Sequence, residues 1–277
     1  MINNIYLYWV GKEFKLIKIL RSLIYMHSTN GKGYNVILIN HDNVKEYIPY
    51  LPDYFYKLGP AHQADFVRIC VLCDKGGIWL DSDTLVVDKL DELFNLMETG
   101  KDGFFIKEFD YYLCNGIFGT KPNTELMKFW KNTMLERLNK DINIEWIEIG
   151  SKILTDNYYK KEKFTNYLNY ECFENIKTTI KETFVNNKKM YINYHIFSGS
   201  NDLYPINYDK CVTEFINKPY ENYKTIEKPF QPLIILVNSV YRELEKYSIE
   251  EIMNGKRPLN YFIEKSYRNK FKLLYEI

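Results

Sequence analysis

Histidine and cysteine are scarce, at four and five residues in a chain of 277. The one Cys-x-x-Cys has no second pair and no histidines at ligand spacing beside it, so no structural zinc is expected. The cysteines (Cys70, Cys73, Cys114, Cys172 and Cys211) are odd in number and irregularly placed. That argues against a disulfide framework and for thiols used as small apolar side chains in a reducing compartment. Cys70 and Cys73 form a Cys-x-x-Cys, but inside an apolar helical run rather than at a helix start, so core packing is expected there. An excess of one charge is also lacking. Lys and Arg number 37 against 36 Asp and Glu, a net charge of +1. A dedicated nucleic-acid binder would need many more phosphate-neutralising cations. Long apolar runs are missing too. Pro232 to Val240 falls well short of the roughly 20 residues that span a bilayer. Met1 to Val10 has no basic leader and no small-residue cleavage site, so no secretory signal is expected and the cytoplasm is the expected location. We find no internal repeat and no low-complexity linker.

What is present suits a folded enzyme-sized chain. Hydrophobic residues make up 46% and charged residues 26%, enough for a sizeable core in one large or two small domains. Aromatics reach 17%, with 25 Tyr and 17 Phe. Beside abundant Asn, Lys and Ile, this reads first as a coding-sequence bias. Asn4 to Val10 alternates and is bulky, as a strand does, and Gly11 ends it. Glu13 to His27 is an amphipathic helix, and Tyr34 to Ile39 a second, buried strand. Strand, helix, strand opens an α/β sheet with parallel crossovers. Gly59-Pro60 starts a helix that runs to Lys75 and closes at Gly76-Gly77. Ile78 to Leu80 is a short strand, and Leu85 to Val87 resumes an extended run. Further strands are expected at Gly103 to Ile106 and Tyr112 to Gly119, with a helix from Thr124 to Leu138. Beyond Asp141 the pattern weakens. Helices are expected at Ile142 to Leu154 and Phe164 to Phe173, a strand at Lys189 to Phe197, and two or three helices from Gln231 to Ile277.

The chemistry concentrates in Ala64-Asp65-Phe66-Val67-Arg68 and Gly76-Gly77-Ile78-Trp79-Leu80-Asp81-Ser82-Asp83. Asp65 and Arg68, three apart on a helix, share a face. Sixteen residues after Asp65, Asp81 and Asp83 stand at the C-terminal end of a strand, where open α/β sheets bind ligands. Two hard carboxylates there suit a divalent cation that keeps open positions for phosphate oxygens and neutralises a leaving diphosphate.

This pattern resembles the nucleotide-sugar glycosyltransferases of the Asp-x-Asp type. They include capsular polysaccharide synthesis proteins, initiating fungal mannosyltransferases (glycosyltransferase family 32-type) and, more distantly, the clostridial glucosylating toxins. The family pattern, (Ser/Ala)-Asp-x-x-Arg, a short helix and Gly-Gly-(Ile/Val)-(Tyr/Trp)-Leu-Asp-x-Asp, stands complete in Ala64-Asp65, Arg68 and Gly76 to Asp83. Trp9-Val10-Gly11 matches the family's first-strand Trp-x-Gly.

The resemblance implies an α/β, glycosyltransferase-A type Rossmann-like nucleotide-sugar domain over residues 1–215. A helical C-terminal extension, 216–277, would pack on the same domain. It implies Trp9 as a stacking platform for the nucleotide base. Asp65 and Arg68 would hold donor sugar and phosphate, Asp81 the ribose, sugar and metal, and Asp83 the metal. Asn115, in Cys114-Asn115-Gly116-Ile117-Phe118, falls where relatives reach the donor sugar. The implied cofactor is Mn²⁺ or Mg²⁺. The implied partners are a nucleoside-diphosphate sugar (a UDP-sugar ahead of a GDP-sugar) and a glycan or lipid-linked acceptor. Retention of anomeric configuration, in polysaccharide or glycoconjugate synthesis, goes with them. His195, in His195-Ile196-Phe197-Ser198-Gly199-Ser200, is the candidate for a site-closing segment, though the family's following Trp is missing. Glu108 and Asp110 are weaker candidates for the acceptor side.

Two rival readings remain at this point. Aspartate-nucleophile phosphohydrolases also end a strand in Asp-x-Asp, but place Thr or Val four residues after the first Asp. Here that position is Leu85, with Thr84 one residue early. A non-catalytic sugar-nucleotide binder would be expected to have lost some of Asp65, Arg68, Asp81 and Asp83. Lys256 to Ile277 carries six basic and two acidic residues. That is a solvated helical face, or a weak peripheral contact with the inner face of a membrane.

Overall fold

Local chemistry starts and stops the elements of the computed structural model. It describes residues 3–28, 33–98, 102–108, 112–161, 165–169, 234–236, 240–254, 263–264 and 266–268. In chain order the described elements are β1 (Asn4–Tyr8), α1 (Lys15–Ser28), β2 (Asn35–Ile39), α2 (Val44–Tyr47), a 3-10 turn (Asp53–Lys57), α3 (Pro60–Lys75) and β3 (Gly77–Leu80). Then come β4 (Thr84–Val86), α4 (Asp91–Met97), β5 (Gly103–Glu108), β6 (Tyr112–Thr120), α5 (Glu125–Lys140), α6 (Ser151–Lys161) and β7 (Thr165–Asn169). Near the C-terminus lie β8 (Ile234–Leu236), α7 (Val240–Leu244) and α8 (Ile249–Asn254).

The chain divides into two units, the first formed by Met1–Lys12, Lys32–Asp81 and Asp91–Asn169. Its sheet has the order β2-β1-β3-β6-β5-β7. β1 pairs parallel with β2 and β3, whereas β6 runs antiparallel to both β3 and β5. The expected α/β class is therefore observed, with a mixed rather than purely parallel sheet.

α3 is buried almost all round, from Gln63 and Asp65 to Cys73, which is how a helix inside a core reads. Pro60 opens it at a position where the missing N–H costs nothing. Gly76 closes it at φ +65°, and Gly77 follows at φ +123°. α5 begins at Thr124, whose hydroxyl accepts from the Met127 N–H at 3.3 Å. Between these helices and the sheet, Phe105 stacks on Phe118 with centroids 5.0 Å apart, and Phe118 meets buried Trp130 at 5.5 Å. Cys70 and Cys73 are buried in α3, and burial pushes the Cys70 thiol up to about 12. Both thiols fill core space, as expected.

The second unit, Glu13–Gly31, Ser82–Leu90 and Tyr170–Ile277, contains α1, β4, β8, α7 and α8. β4 and β8 pair antiparallel, Thr84 opposite Leu236. The Ser266 hydroxyl donates to Val86 O at 2.7 Å and lies 2.8 Å from His27 Nε2. A hydroxyl has one proton, so His27 Nε2–H is the donor to Ser266. Lys15 Nζ donates to the carbonyls of Glu245 and Tyr247 at 2.8 and 2.7 Å, just past the end of α7.

Three expectations need correction. Thr165–Asn169 lies in the span expected to be helical but is a strand, parallel to β5. Thr and two Asn in five residues are poor helix formers, and the edge of β5 offers a partner. The helix expected from Ile142 begins only at Ser151, because Asp141 Oδ1 accepts from the Asn143 N–H at 2.9 Å and turns the chain. Ile234–Leu236, expected to be helical, pairs as β8, in keeping with its β-branched residues. The expected strand Lys189 to Phe197, His195 and the boundary expected at 215–216 lie outside the described residues, as do Asp110 and most of the basic tail. No described helix is long and apolar enough to cross a membrane.

Gly77 shows how closely the start of β3 lies against β1. A Cβ there would lie 2.8 Å from Asn4 O and 2.9 Å from Tyr6 Cε2. Gly77→Ala is expected to destabilise the fold by about 2–4 kcal/mol, from backbone strain plus overpacking. In urea the midpoint should fall without a change in slope; an unmoved midpoint would contradict this close packing.

Candidate functional site

The site grows from the carboxyl end of β3. Side chains two apart on a strand share a face, so Trp79 and Asp81 point the same way. The Trp79 indole N–H donates to Asp81 Oδ1 at 2.7 Å. Arg68, one α3 residue over, brings its guanidinium carbon to 5.0 Å from the Trp79 ring centre. Its Nη2 lies 3.0 Å from the same Asp81 oxygen. Nη1 donates to Asn115 O at 2.5 Å, and Nε to Ala64 O at 3.3 Å while lying 3.4 Å from Asp65 Oδ1. The Arg68 side chain is only 6% exposed. It is a buried organiser of three elements rather than a surface cation.

Asn115 reaches this cluster through an irregularity in β6. Phe105 pairs with Phe118, but the next β5 residue, Ile106, pairs with Cys114. Asn115, Gly116 and Ile117 thus have no partner on β5, and a bulge of this kind re-aims side chains and carbonyls. On the other side Gly116 O accepts from the Asp81 N–H at 2.8 Å, which ties the bulge to the end of β3. The Asn115 amide donates to Asp65 Oδ1 at 2.7 Å, and its Oδ1 accepts from the Ser151 hydroxyl at 3.0 Å. Gly150 lies directly over the pair. A Cβ there would stand 2.5 Å from Asn115 Nδ2 and 3.0 Å from both Asp65 oxygens.

Asp65, Arg68, Asp81 and Asn115 are thus brought together within the first unit. Trp9 belongs to the same unit and is half-buried at the end of β1. Its backbone N–H donates to Ile39 O and its indole N–H to Lys12 O, both at 3.1 Å. Asp83, half-buried in the turn after Asp81, belongs to the second unit. Glu108 ends β5. Residue-by-residue reading missed Trp79, Gly150 and Ser151 as site partners. Trp79 carried a signal in its spacing from Asp81, whereas Gly150 and Ser151 carried none, because only packing brings their loop to Asp65. Gln63 was missed as well. Its amide nitrogen donates to the carbonyls of Phe55 and Leu58, so its oxygen faces the Tyr8 hydroxyl at 2.8 Å and His41 Nε2 at 2.9 Å. Tyr8 and His41 are therefore both donors, fixed at the carboxyl ends of β1 and β2.

The charges are unbalanced, with one guanidinium against two carboxylates. Burial is the largest influence on Asp65 and pushes its carboxyl up from 3.8 to about 6. Arg68 opposes the shift, Asp81 adds to it, and His62 and Asn115 oppose it. Both close contacts to Asp81 fall on Oδ1, and the side chain is 29% exposed, which leaves Oδ2 for a ligand. A hard carboxylate oxygen held in one orientation fits a divalent cation. Among the described residues no three His, Cys, Asp or Glu side chains are grouped to hold one. An ion bound here would complete its shell with ligand oxygens and water.

A buried cation organising two carboxylates and an amide, at the end of a central strand, is an arrangement suited to a polar, hydroxyl- or phosphate-bearing ligand. The chain matches the family described as capsular polysaccharide synthesis protein over residues 1–254, and it belongs to that family. It is 31% identical over 82 residues to the O-glycosyltransferase PaGT of Phomopsis amygdali, covering 27% of this chain and 20% of that protein. It is 32% identical over 114 residues to the uncharacterized glycosyltransferase L373 of Acanthamoeba polyphaga mimivirus, covering 38% of this chain and 42% of that one. Each match spans less than half of the relative's length. The apo-form glycosyltransferase GlyE of Streptococcus pneumoniae TIGR4 aligns over 100% of this chain and 63% of its own, at 13% identity and a TM-score of 0.49.

The raised Asp65 value has a consequence for stability. Between pH 4 and 6 the folded chain keeps a proton that the unfolded chain releases, so this group's contribution to stability falls as pH rises through that window. Asp65→Asn keeps the acceptor for Asn115 and removes the buried charge. It is expected to raise the stability of the ligand-free protein at pH 7 by about 1–3 kcal/mol, with the gain shrinking towards pH 4. Thermal midpoints at the two pH values measure this, and an equal gain at both would rule out the burial-driven shift.

Proposed function

We propose that this protein is a glycosyltransferase of the glycosyltransferase-A type. It moves a sugar from a nucleoside-diphosphate sugar to a glycan or lipid-linked acceptor. The observation that carries the reading is the Arg68-centred cluster, in which one buried guanidinium fixes Asp81 and the Asn115 backbone beside Asp65. Family membership and the names of the two sequence relatives support it.

In this reading Asp65 and Asn115 accept and donate hydrogen bonds to donor-sugar hydroxyls, and Asp81 meets the ribose or sugar through its open oxygen. Trp9 stacks on the base at the end of β1. The Asp81-Ser82-Asp83 sequence offers two carboxylates for Mn²⁺ or Mg²⁺, which when bound neutralises the departing diphosphate. The bond from anomeric carbon to diphosphate oxygen breaks, and one to the acceptor oxygen forms. The acceptor proton passes to the leaving diphosphate, so retention needs no dedicated protein base. Arg68 acts by holding the other groups in line, and its planar fork does what a lysine cannot.

The test is release of nucleoside diphosphate from a panel of UDP- and GDP-sugars with Mn²⁺ or Mg²⁺. Turnover of at least one donor, lost in excess chelator and restored by the ion, is expected; undiminished turnover with metal shown absent would overturn the metal assignment. Arg68→Lys should lower turnover tenfold or more, about 1.4 kcal/mol of transition-state stabilisation. If Asp81 were instead a phosphohydrolase nucleophile, phosphate esters would be cleaved and a phosphoryl group trapped on Asp81.

Trp9→Ala should weaken nucleoside-diphosphate binding by about 1–3 kcal/mol, the range of base–aromatic stacking, with Trp9→Phe recovering part. Calorimetry decides this. Unchanged affinity in the alanine variant would remove Trp9 from the site.

A further inference from the structure

Trp146 is the one tryptophan among the four that lies mostly in solvent. It is 60% exposed, whereas Trp79 and Trp130 are fully buried and Trp9 is half-buried. It sits in the loop between α5 and α6, four residues before the Gly150 that covers Asp65 and Asn115. Its ring lies 6.2 Å from that of His62, tilted by 52°, and His62 Nε2 lies 3.3 Å from Glu145 O. His62 is one turn before Asp65 on α3. Three residues apart on a helix, His62 and Asp65 share one face about 4.5 Å apart along the axis, so the residue that meets the indole is a helical neighbour of the one in the cluster. All these residues belong to the first unit.

The loop is not a loose connection. Arg137 donates through Nη1 to Asp141 O at 2.7 Å, through Nη2 to Asn143 O at 3.0 Å and through Nε to Glu148. The other Glu148 oxygen accepts from the Glu145 N–H at 2.9 Å. The Trp130 indole N–H donates to Ile149 O at 2.9 Å, which anchors the loop in the core. The backbone on either side of Trp146 is therefore tied down by hydrogen bonds, and the indole projects from it largely into water. An exposed indole on a hydrogen-bonded support, contacting the helix that carries Asp65, offers a stacking surface whose geometry is set before a ligand arrives. The ligand chemistry follows from the ring. An indole face carries negative quadrupole charge and is apolar, so it complements the C–H face of a pyranose, whose hydrogens are weakly positive.

We infer that Trp146 is the stacking platform of an acceptor-sugar subsite, next to the donor position at Asp65. This rests on the glycosyltransferase reading, so the experiment has an arm for each. Wild type, Trp146→Ala and Trp146→Tyr are compared in donor hydrolysis without acceptor, and in transfer to methyl α- and β-pyranosides of glucose, galactose, mannose and N-acetylglucosamine. The expected result for Trp146→Ala is unchanged hydrolysis with an acceptor KM raised about tenfold. Trp146→Tyr should recover part of that loss. Tryptophan emission provides the second arm. A pyranoside should shift the wild-type emission to the blue, and the shift should vanish in Trp146→Tyr. Equal acceptor KM in wild type and the alanine variant would overturn the inference, as would an equal loss of hydrolysis and transfer. A blue shift that grows with protein concentration alone would mean that a second copy covers the indole, and would also overturn it. If wild type hydrolyses no donor, the glycosyltransferase reading fails by itself and the emission arm still decides the platform.

Discussion

The buried Arg68 guanidinium is the interaction on which this site depends. A buried carboxylate, Asp65, and a half-buried one, Asp81, stand on neighbouring elements, and without a cation between them Asp81 would add further to the cost of ionising Asp65. Arg68 bridges them and adds a bond to the backbone of a third element. Burying Asp65 and Arg68 is costly, and a buried ion pair is weak support for stability. Its value lies in orientation. A planar, always-charged fork with fixed donor directions holds the Asp81 carboxylate and the β6 bulge in one geometry before a ligand arrives, which is the preorganisation that ligand binding and catalysis need.

The surrounding backbone is shaped to admit that fork. The register break in β6 frees Asn115 from the ladder and turns both its carbonyl and its amide towards α3. Gly150 lets the loop after α5 pass close over Asp65 and Asn115, where any side chain would collide with the Asn115 amide. Ser151 then fixes the Asn115 amide orientation by donating to its oxygen. Sheet, bulge and loop thus close three sides of a polar cluster, and the chain ends of β1 and β2, locked by Gln63, border it along the same edge of the sheet.

The proposed reaction requires two substrates, and two different kinds of surface lie within one unit. The Arg68 cluster is polar, partly charged and nearly enclosed, suited to the hydroxyls and phosphate oxygens of a donor. The outward indole on its hydrogen-bonded loop is an apolar, open face, suited to a ring that arrives and leaves. Helix α3 links the two, because His62 faces the indole and Asp65 the cluster, one turn apart.

The amino-acid sequence by itself determined the opening strand, helix and strand, the bounds of α3 with Pro60 and Gly76, the buried role of Cys70 and Cys73, and the positions of Asp65, Arg68 and Asp81. All of these follow from signals between near neighbours along the chain: periodicity, caps and turn residues. It also placed Asn115 in its motif, but only by resemblance. Tertiary structure alone decided how Asn115 reaches Asp65, fifty residues away, through a bulge set by pairing with β5 and β3. The same holds for Gly150 over the site, for β7 where a helix was expected and for the exposed position of Trp146. Each depends on which distant segments pack together and in what register. That choice is made by burial and by backbone hydrogen bonds between segments, and a local pattern of residues does not encode it.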